Sequence, residues 1–355
     1  MSEILDISDK VIQGVALSHT EFVPDAPDAN SQARSHAPNS SQEIDYGALL
    51  QKATMTSTQL RDMEIPSRTD YLGGWFREGD YGLLIAERGV GKTWMAMALA
   101  NAIAAGKNIG PWAAGEGAKV LYVDGEMPLE LAQSRDQGLC LGGELLYLHE
   151  AQVFKLGGKP MNIRHDGWRD GLTAMCNAED IKVIVLDNLS CLASGIQEND
   201  ALEWESISNW ILELRRMDIS VLMLHHAGRN GQARGTSKRE DIASWVIHLR
   251  ADQCAADQSA TFTSRFAKNP RSMAKNIGDY RWEFRTNEEG AVTISHTAAS
   301  VRERMVSLIE DGFTSATELA EVMEISKGRV SQVARELMNE DPPLITKNGR
   351  EYRAC

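Results

Sequence analysis

The stretch IAERGVGKTWMAMALA, residues 85–100, constrains this chain more than any other. A short apolar run stops, two glycines and a Lys-Thr pair follow, and an apolar segment of helical character begins at once. A strand that runs through such a loop into a helix gathers backbone N–H groups and the positive end of the helix at one point, which suits a phosphate. Gly89 and Gly91 allow close backbone approach, and Glu87, Arg88 and Val90 complete the loop. Lys92 can reach the β- and γ-phosphates of a nucleotide, and the Thr93 hydroxyl can ligate Mg2+. The usual G-x-x-x-x-G-K-[ST] pattern opens with glycine where this chain has Ala86, a change that is tolerable if the backbone there stays at negative φ.

The surrounding sequence predicts the sheet that such a loop requires. Between about 49 and 298, YGLLIAE, KVLYVDG, ELLYLHE, IKVIVLDN, ISVLMLHH and SWVIHLR read as strands separated by helical patterns. Several are nearly continuous in apolar residues, as strands covered on both faces of a mostly parallel sheet are. The fold class is therefore α/β, a mostly parallel sheet flanked by helices. Trp204, Ile207, Ile211 and Leu214 recur at helical spacing and predict a core-facing stripe.

Two predicted strand ends carry acids. IKVIVLDN ends in Asp187, placed as a Walker B acid that holds Mg2+ through its water shell, and VLYVDGEM offers Asp124 and Glu126. A carboxylate beside a γ-phosphate can orient and deprotonate an attacking water.

The flanks differ from this core. Residues 1–48 are rich in Pro, Ser, Asn and Ala with few large apolar groups, which predicts a flexible tail. From 299 to 355, VRERMVSLIEDG, SATELAEVME and SKGRVSQVARELMNE read as three helices, the second opened by a Ser or Thr cap. LITKNGREYRA then reads as a hairpin with an Asn-Gly turn. This order resembles the winged helix-turn-helix of many bacterial regulators, a fold that implies a third helix in the major groove of duplex DNA. Lys327, Arg329, Ser331, Gln332 and Arg335 would lie on or near the presenting face. Domains of this kind also serve as protein–protein modules, and charges in this region nearly balance.

A formal net charge of -13 argues against a surface that coats DNA throughout, so any nucleic-acid contact is local. Two basic stretches qualify: residues 265–285, which equally suit a solvated face, and GRNGQARGTSKR at 228–239, with Arg229 and Lys238 as candidate contacts. The five scattered cysteines have no C-x-x-C spacing and read as reduced thiols. The N-terminus has no basic start followed by an apolar core, and the run WMAMALANAIAAG is too short to span a bilayer, so a cytoplasmic protein with no membrane partner is expected.

In combination, VDGEM, VLDNLSCLASGIQEND and VLMLHHAGRNGQARGTSKREDIASWVIHL resemble the motif series of RecA-like hexameric helicases, in particular the plasmid RepA-type replicative helicases and their AAA ATPase relatives, over about residues 60–290. The resemblance implies an ATP- and Mg2+-dependent ring, a hexamer, with single-stranded DNA in its channel. It implies Glu126 as catalytic base, His226 rather than His225 as sensor of the γ-phosphate, and Arg234 as a finger reaching the nucleotide of a neighbouring copy. The expected function is that of a replication motor of a plasmid, phage or other mobile element. A DNA-binding regulator switched by ATP without unwinding, and a RecA-like recombination ATPase, are the alternatives. The C-terminal helices and the N-terminal tail lie outside what this resemblance covers.

Overall fold

The computed structural model describes residues 45–139, 141–195, 201–227, 237–251, 259–268 and 277–355. The chain divides into two compact units, Met1–Ile65 and Pro66–Cys355. In the first, α1 (Tyr46–Ala53) is capped by Asp45 and α2 (Ser57–Asp62) opens with a capping box between Thr56 and Gln59. Neither helix buries a residue.

The second unit opens with a small hairpin, β1 (Asp70–Leu72) and β2 (Phe76–Arg77), and then builds a nine-stranded sheet. Its strands are β3 (Tyr81–Ala86), β4 (Val120–Asp124), β5 (Leu145–His149), β6 (Val183–Asp187), β7 (Ser220–His226), β8 (Trp245–Ala251), β9 (Ser259–Lys268), β10 (Tyr280–Thr286) and β11 (Val292–Ala298). They lie in the order β11-β10-β9-β8-β3-β7-β6-β4-β5. All pairs from β8 to β5 are parallel, and the three from β8 to β11 are antiparallel. The six strands expected from apolar runs form the parallel part. The antiparallel extension was not expected, because β10 and β11 expose much of their surface and alternate weakly.

Helices cover both faces. α3 (Lys92–Ala105) is apolar all round and buried along most of its length, in the cluster that holds Trp75, Trp112, Trp245 and Phe262. The crossovers that follow contain α4 (Leu129–Leu139), α5 (Glu150–Lys155), α6 (Asp166–Ala178), α7 (Leu189–Leu192), α8 (Ala201–Arg216) and α9 (Ser237–Asp241). Trp204, Ile207, Ile211 and Leu214 on α8 sit in a second cluster with Leu83, Ile85 and Leu186, so the predicted stripe faces the core. The result is the expected α/β architecture, a mostly parallel sheet between helical layers.

The C-terminal segment has a cluster of its own. α10 (Val301–Glu310) and α11 (Ala316–Val322) each begin with a reciprocal capping box, Ser300 with Glu303 and Ser315 with Glu318. α12 (Lys327–Met338) is capped by Ser326 and buries Val330, Val333, Ala334 and Leu337. The hairpin of β12 (Ile345–Asn348) and β13 (Glu351–Ala354) pairs Asn348 with Glu351, so the two-residue loop is Gly349-Arg350, one position beyond the expected Asn-Gly turn. Gly349 takes the positive φ, 61°, that such a loop demands.

Charge ties this segment to the sheet. Arg250 on β8 pairs with Glu310 and Asp311, and Arg265 on β9 pairs with Asp311. Arg304 on α10 meets Asp279, just before β10, at 3.2 Å. Here the basic stretch at 265–285 finds its partners: Lys268 donates to the Glu240 carbonyl at 2.6 Å, Arg281 lies 3.8 Å from Glu303, and Arg285 lies 2.7 Å from Glu283. Arg271 and Lys275 lie outside the described residues.

This cluster predicts an acid sensitivity. Burial pushes the Asp311 carboxyl up, but His248, Arg250 and Arg265 outweigh it and hold its pKa below the usual carboxylate range. A depressed folded-state pKa contributes stability that is present above the unfolded value and lost as pH falls through the folded one. The unfolding temperature is therefore expected to fall on acidification below about pH 4 in the native chain, and to fall less in Asp311→Asn. Parallel acid slopes for the two proteins would show that the carboxylate contributes nothing.

The candidate nucleotide site

The parallel strands β3, β7, β6 and β4 end along one edge of the sheet, with Ala86 beside His226 and Asp124 beside Asp187. Ala86 is the last residue of β3 and keeps a negative φ, so its methyl group is accommodated as required. The loop then turns through Gly89 at φ 82° and Gly91 at φ 120°, and Gly91 caps α3. Side chains rarely adopt these angles. A Cβ at Gly91 would also lie 2.7 Å from the Phe262 ring of β9, whereas at Gly89 it would meet nothing within 4 Å. Glu87, Arg88 and Gly89 are exposed at the open end of the loop, and Val90 is buried beneath it.

Lys92 is only 6% exposed and points into the loop. Its Nζ lies 3.3 Å from the Ala86 carbonyl, 3.4 Å from the Glu87 carbonyl and 2.9 Å from His226 Nδ1. Burial lowers the Lys92 pKa, and the nearby Asp187 and Glu126 work against that shift. Burial, and then Lys92 itself, lower that of His226. A neutral His226 accepts from the ammonium at Nδ1 and carries its own proton on Nε2.

From His226 the contacts continue. Asn188 Nδ2 donates to Glu126 Oε2; it also lies 3.2 Å from His226 Nε2, and since both of these nitrogens carry hydrogen that approach is a packing contact, while Glu126 Oε2 lies 3.8 Å from the same histidine nitrogen. Asn188 is fully buried and caps α7, its Oδ1 accepting from Cys191 N at 3.3 Å. That cap turns the amide nitrogen toward Glu126. Sequence reasoning missed Asn188, although Asn between an apolar strand and LSCL has the form of a helix cap.

Three acids meet here in different states. Asp124 is buried and accepts the backbone N–H groups of Glu126 and Met127, each at 2.9 Å. Of the two acids in VLYVDGEM it therefore shapes the loop, and it leaves Glu126, 44% exposed at its side chain, free to meet a ligand. Asp187 is buried, with Oδ2 accepting from Tyr122 Oη at 2.7 Å. Its Oδ1 has no hydrogen-bond partner among the described residues. Burial pushes the Asp187 carboxyl up to about 6, against Tyr122 and Thr93, which favour its ionised form. An acid with an unused buried oxygen beside a helix-start threonine hydroxyl fits a hydrated divalent cation.

Other candidates lie elsewhere. His225 is buried and contacts Arg239 at 2.8 Å, away from Lys92. Lys327, Arg329, Gln332 and Arg335 are all exposed on α12. Arg229, Arg234 and the side chain of Lys238 lie outside the described residues.

A family model for the AAA domain matches residues 49–232, a span that contains the loop, Glu126, Asp187 and His226. The chain belongs to the AAA domain family. Among solved structures, a KaiC-like protein of the hyperthermophilic archaeon Pyrococcus horikoshii is 16% identical, with a TM-score of 0.43 over 64% of this chain and 99% of its own. The flagellar accessory protein FlaH of Methanocaldococcus jannaschii is 12% identical, with a TM-score of 0.42 over 61% of this chain and 90% of its own. A search of curated proteins found no match. No helix of the AAA domain or its flanks, among the described residues, is long and apolar enough to cross a membrane.

Proposed function

We propose that this AAA domain protein hydrolyses ATP to move along DNA, working as a ring of six copies in the manner of a replicative helicase. The supporting observation is the convergence of Lys92, His226, Asn188 and Glu126: Lys92 donates to His226, Asn188 donates to Glu126, and the two pairs meet at 3.2 Å. It joins the group that would meet the β- and γ-phosphates to the carboxylate that would meet the attacking water. In this reading the loop from Glu87 to Thr93 cradles the triphosphate, and Lys92 leaves the two carbonyls and His226 for the phosphate oxygens. Glu126 orients the water and takes its proton as the γ-phosphoryl group departs in line. Thr93 directly, and Asp187 through water, would hold Mg2+, which supplies positive charge to the β- and γ-oxygens when bound. Arg234, carried over from the sequence motif, would reach the nucleotide of the adjacent copy and neutralise charge from the far side.

DNA as the track is supported by the C-terminal segment. Three helices and a hairpin make a winged helix-turn-helix in this reading, and Lys327, Arg329, Gln332 and Arg335 stand exposed along its third helix. The loop of Arg229 and Lys238 would meet single strands in the channel. One observation favours a second reading, an ATP-switched DNA-binding regulator: the C-terminal segment, a winged helix in this reading, is held to β8 and β9 by partly buried ion pairs rather than left on a loose tether.

Hydrolysis measured alone, with single-stranded DNA and with duplex DNA, each alongside size-exclusion chromatography, separates the two. A ring-sized species stimulated by single strands is the expected result; stimulation by duplex alone would favour the switch. Arg234→Ala is expected to bind ATP but not turn it over, and mixing it with Glu126→Gln is expected to restore part of the rate. No rescue in the mixture would count against a finger acting between copies.

A further inference from the structure

We infer that the cleft between β8 and α10 receives the base and ribose of the nucleotide whose phosphates the 86–93 loop holds, so that the C-terminal segment forms one wall of the nucleotide site. The inference rests on the reading of that loop as a triphosphate site and adds where the rest of the molecule lies.

The direction follows from the strand order. Every group suited to the γ-phosphate end comes from β7, β6 or β4, all on one side of β3. A triphosphate with its terminal group among His226, Asp187 and Glu126 must send its nucleoside the other way, toward β8 and β9. On that side a cleft of about 960 Å3 opens, its lining running from Glu87 and Val90 of the loop to α10 and β13. That volume is within the range of small-molecule sites, and the mixture of apolar and polar walls is what such sites present.

The wall also contains unused polarity. Ser307 is 6% exposed, and neither its Oγ nor Nε2 of His248 has a hydrogen-bond partner among the described residues. A buried polar atom without a partner is costly; both are closed to solvent in this structure, and a small shift of α10 would bring them within reach of a ribose hydroxyl or a ring nitrogen of a base. Arg250 lines the same cleft and pairs with Glu310 and Asp311, so the occupant and the tie that holds the C-terminal segment share a residue. Nucleotide occupancy is thereby felt directly by the winged helix.

The test compares ATP with inorganic triphosphate, which has the phosphates and no nucleoside. Thr263 and Ala251 both line the cleft, and Thr263→Trp and Ala251→Trp in the full chain would fill it from positions outside the loop, with the triphosphate arm reporting any disturbance passed to the loop through the neighbouring Phe262. Thermal unfolding checks that each variant is folded, and affinities are read by calorimetry. The expected result in at least one folded variant is an ATP affinity weakened by ~10-fold or more, with that for triphosphate changed by less than ~2-fold. Unchanged ATP affinity in both, or equal weakening of both ligands, would overturn the inference and leave the triphosphate site standing. Failure of the unaltered chain to bind either ligand would sink the triphosphate reading, and the cleft with it.

Discussion

Lys92→Ala is expected to reduce ATP hydrolysis by ~100-fold or more and to leave the fold intact, because one preorganised positive donor aimed at developing charge is worth about that much. Removing a charged group from a site this enclosed normally raises concern about folding. Here the lysine is the first residue of α3, where alanine is a favourable helix former, and its ammonium is only 6% exposed, a burial that disfavours its charge and lowers its pKa. Its hydrogen-bond partners are two carbonyls and a neutral histidine, and the buried Asp187 carboxyl, which loses a nearby positive charge, can take up a proton because burial already pushes it up to about 6. Steady-state hydrolysis beside a thermal melt checks both halves. Undiminished turnover would remove the loop from the chemistry, and a collapsed melt would show that Lys92 is structural.

Glu126→Gln is expected to separate binding from turnover. The substitution keeps the shape of the side chain and an oxygen for Asn188 to donate to, but removes the group that accepts a proton from water. General base catalysis contributes about 100- to 10,000-fold, so hydrolysis is expected to fall by that order while ATP affinity stays within a few-fold of the native value. Binding followed with a fluorescent nucleotide, and single-turnover hydrolysis, give the two readouts. A Glu126→Gln chain that still turns over would shift the role to another acid, and Asp124 is poorly suited, since it is fully buried with Oδ1 held by two backbone N–H groups.

The parallel half of the sheet was legible because each of its strands is covered on both faces, so burial writes itself into the sequence as an apolar run. The phosphate loop was legible because its glycines, lysine and threonine have steric and electrostatic duties that few other residues can perform. The antiparallel strands from Ser259 to Ala298 lack such an imprint, since Arg265, Arg281 and Glu283 interrupt them with side chains that pair locally or with the C-terminal helices. The same holds for Asn188. It acts through a cap and two contacts to residues far away in sequence, and no local pattern records those partners. His226 over His225 could be chosen from its place at the strand end, and the structure brings His226 alone of the two against Lys92.

The ring of Phe262 fills the space behind Gly91, close enough that a single added methyl group would collide with it. The outer strands are thus a brace for the phosphate loop rather than an appendage to the sheet. Since interiors are close-packed and transmit strain, part of any displacement of β9 at Phe262 is passed to the loop. A residue about 170 positions downstream thereby packs directly behind the loop's second glycine, and the strands that meet the C-terminal helices are joined to that loop by a contact a single aromatic ring thick.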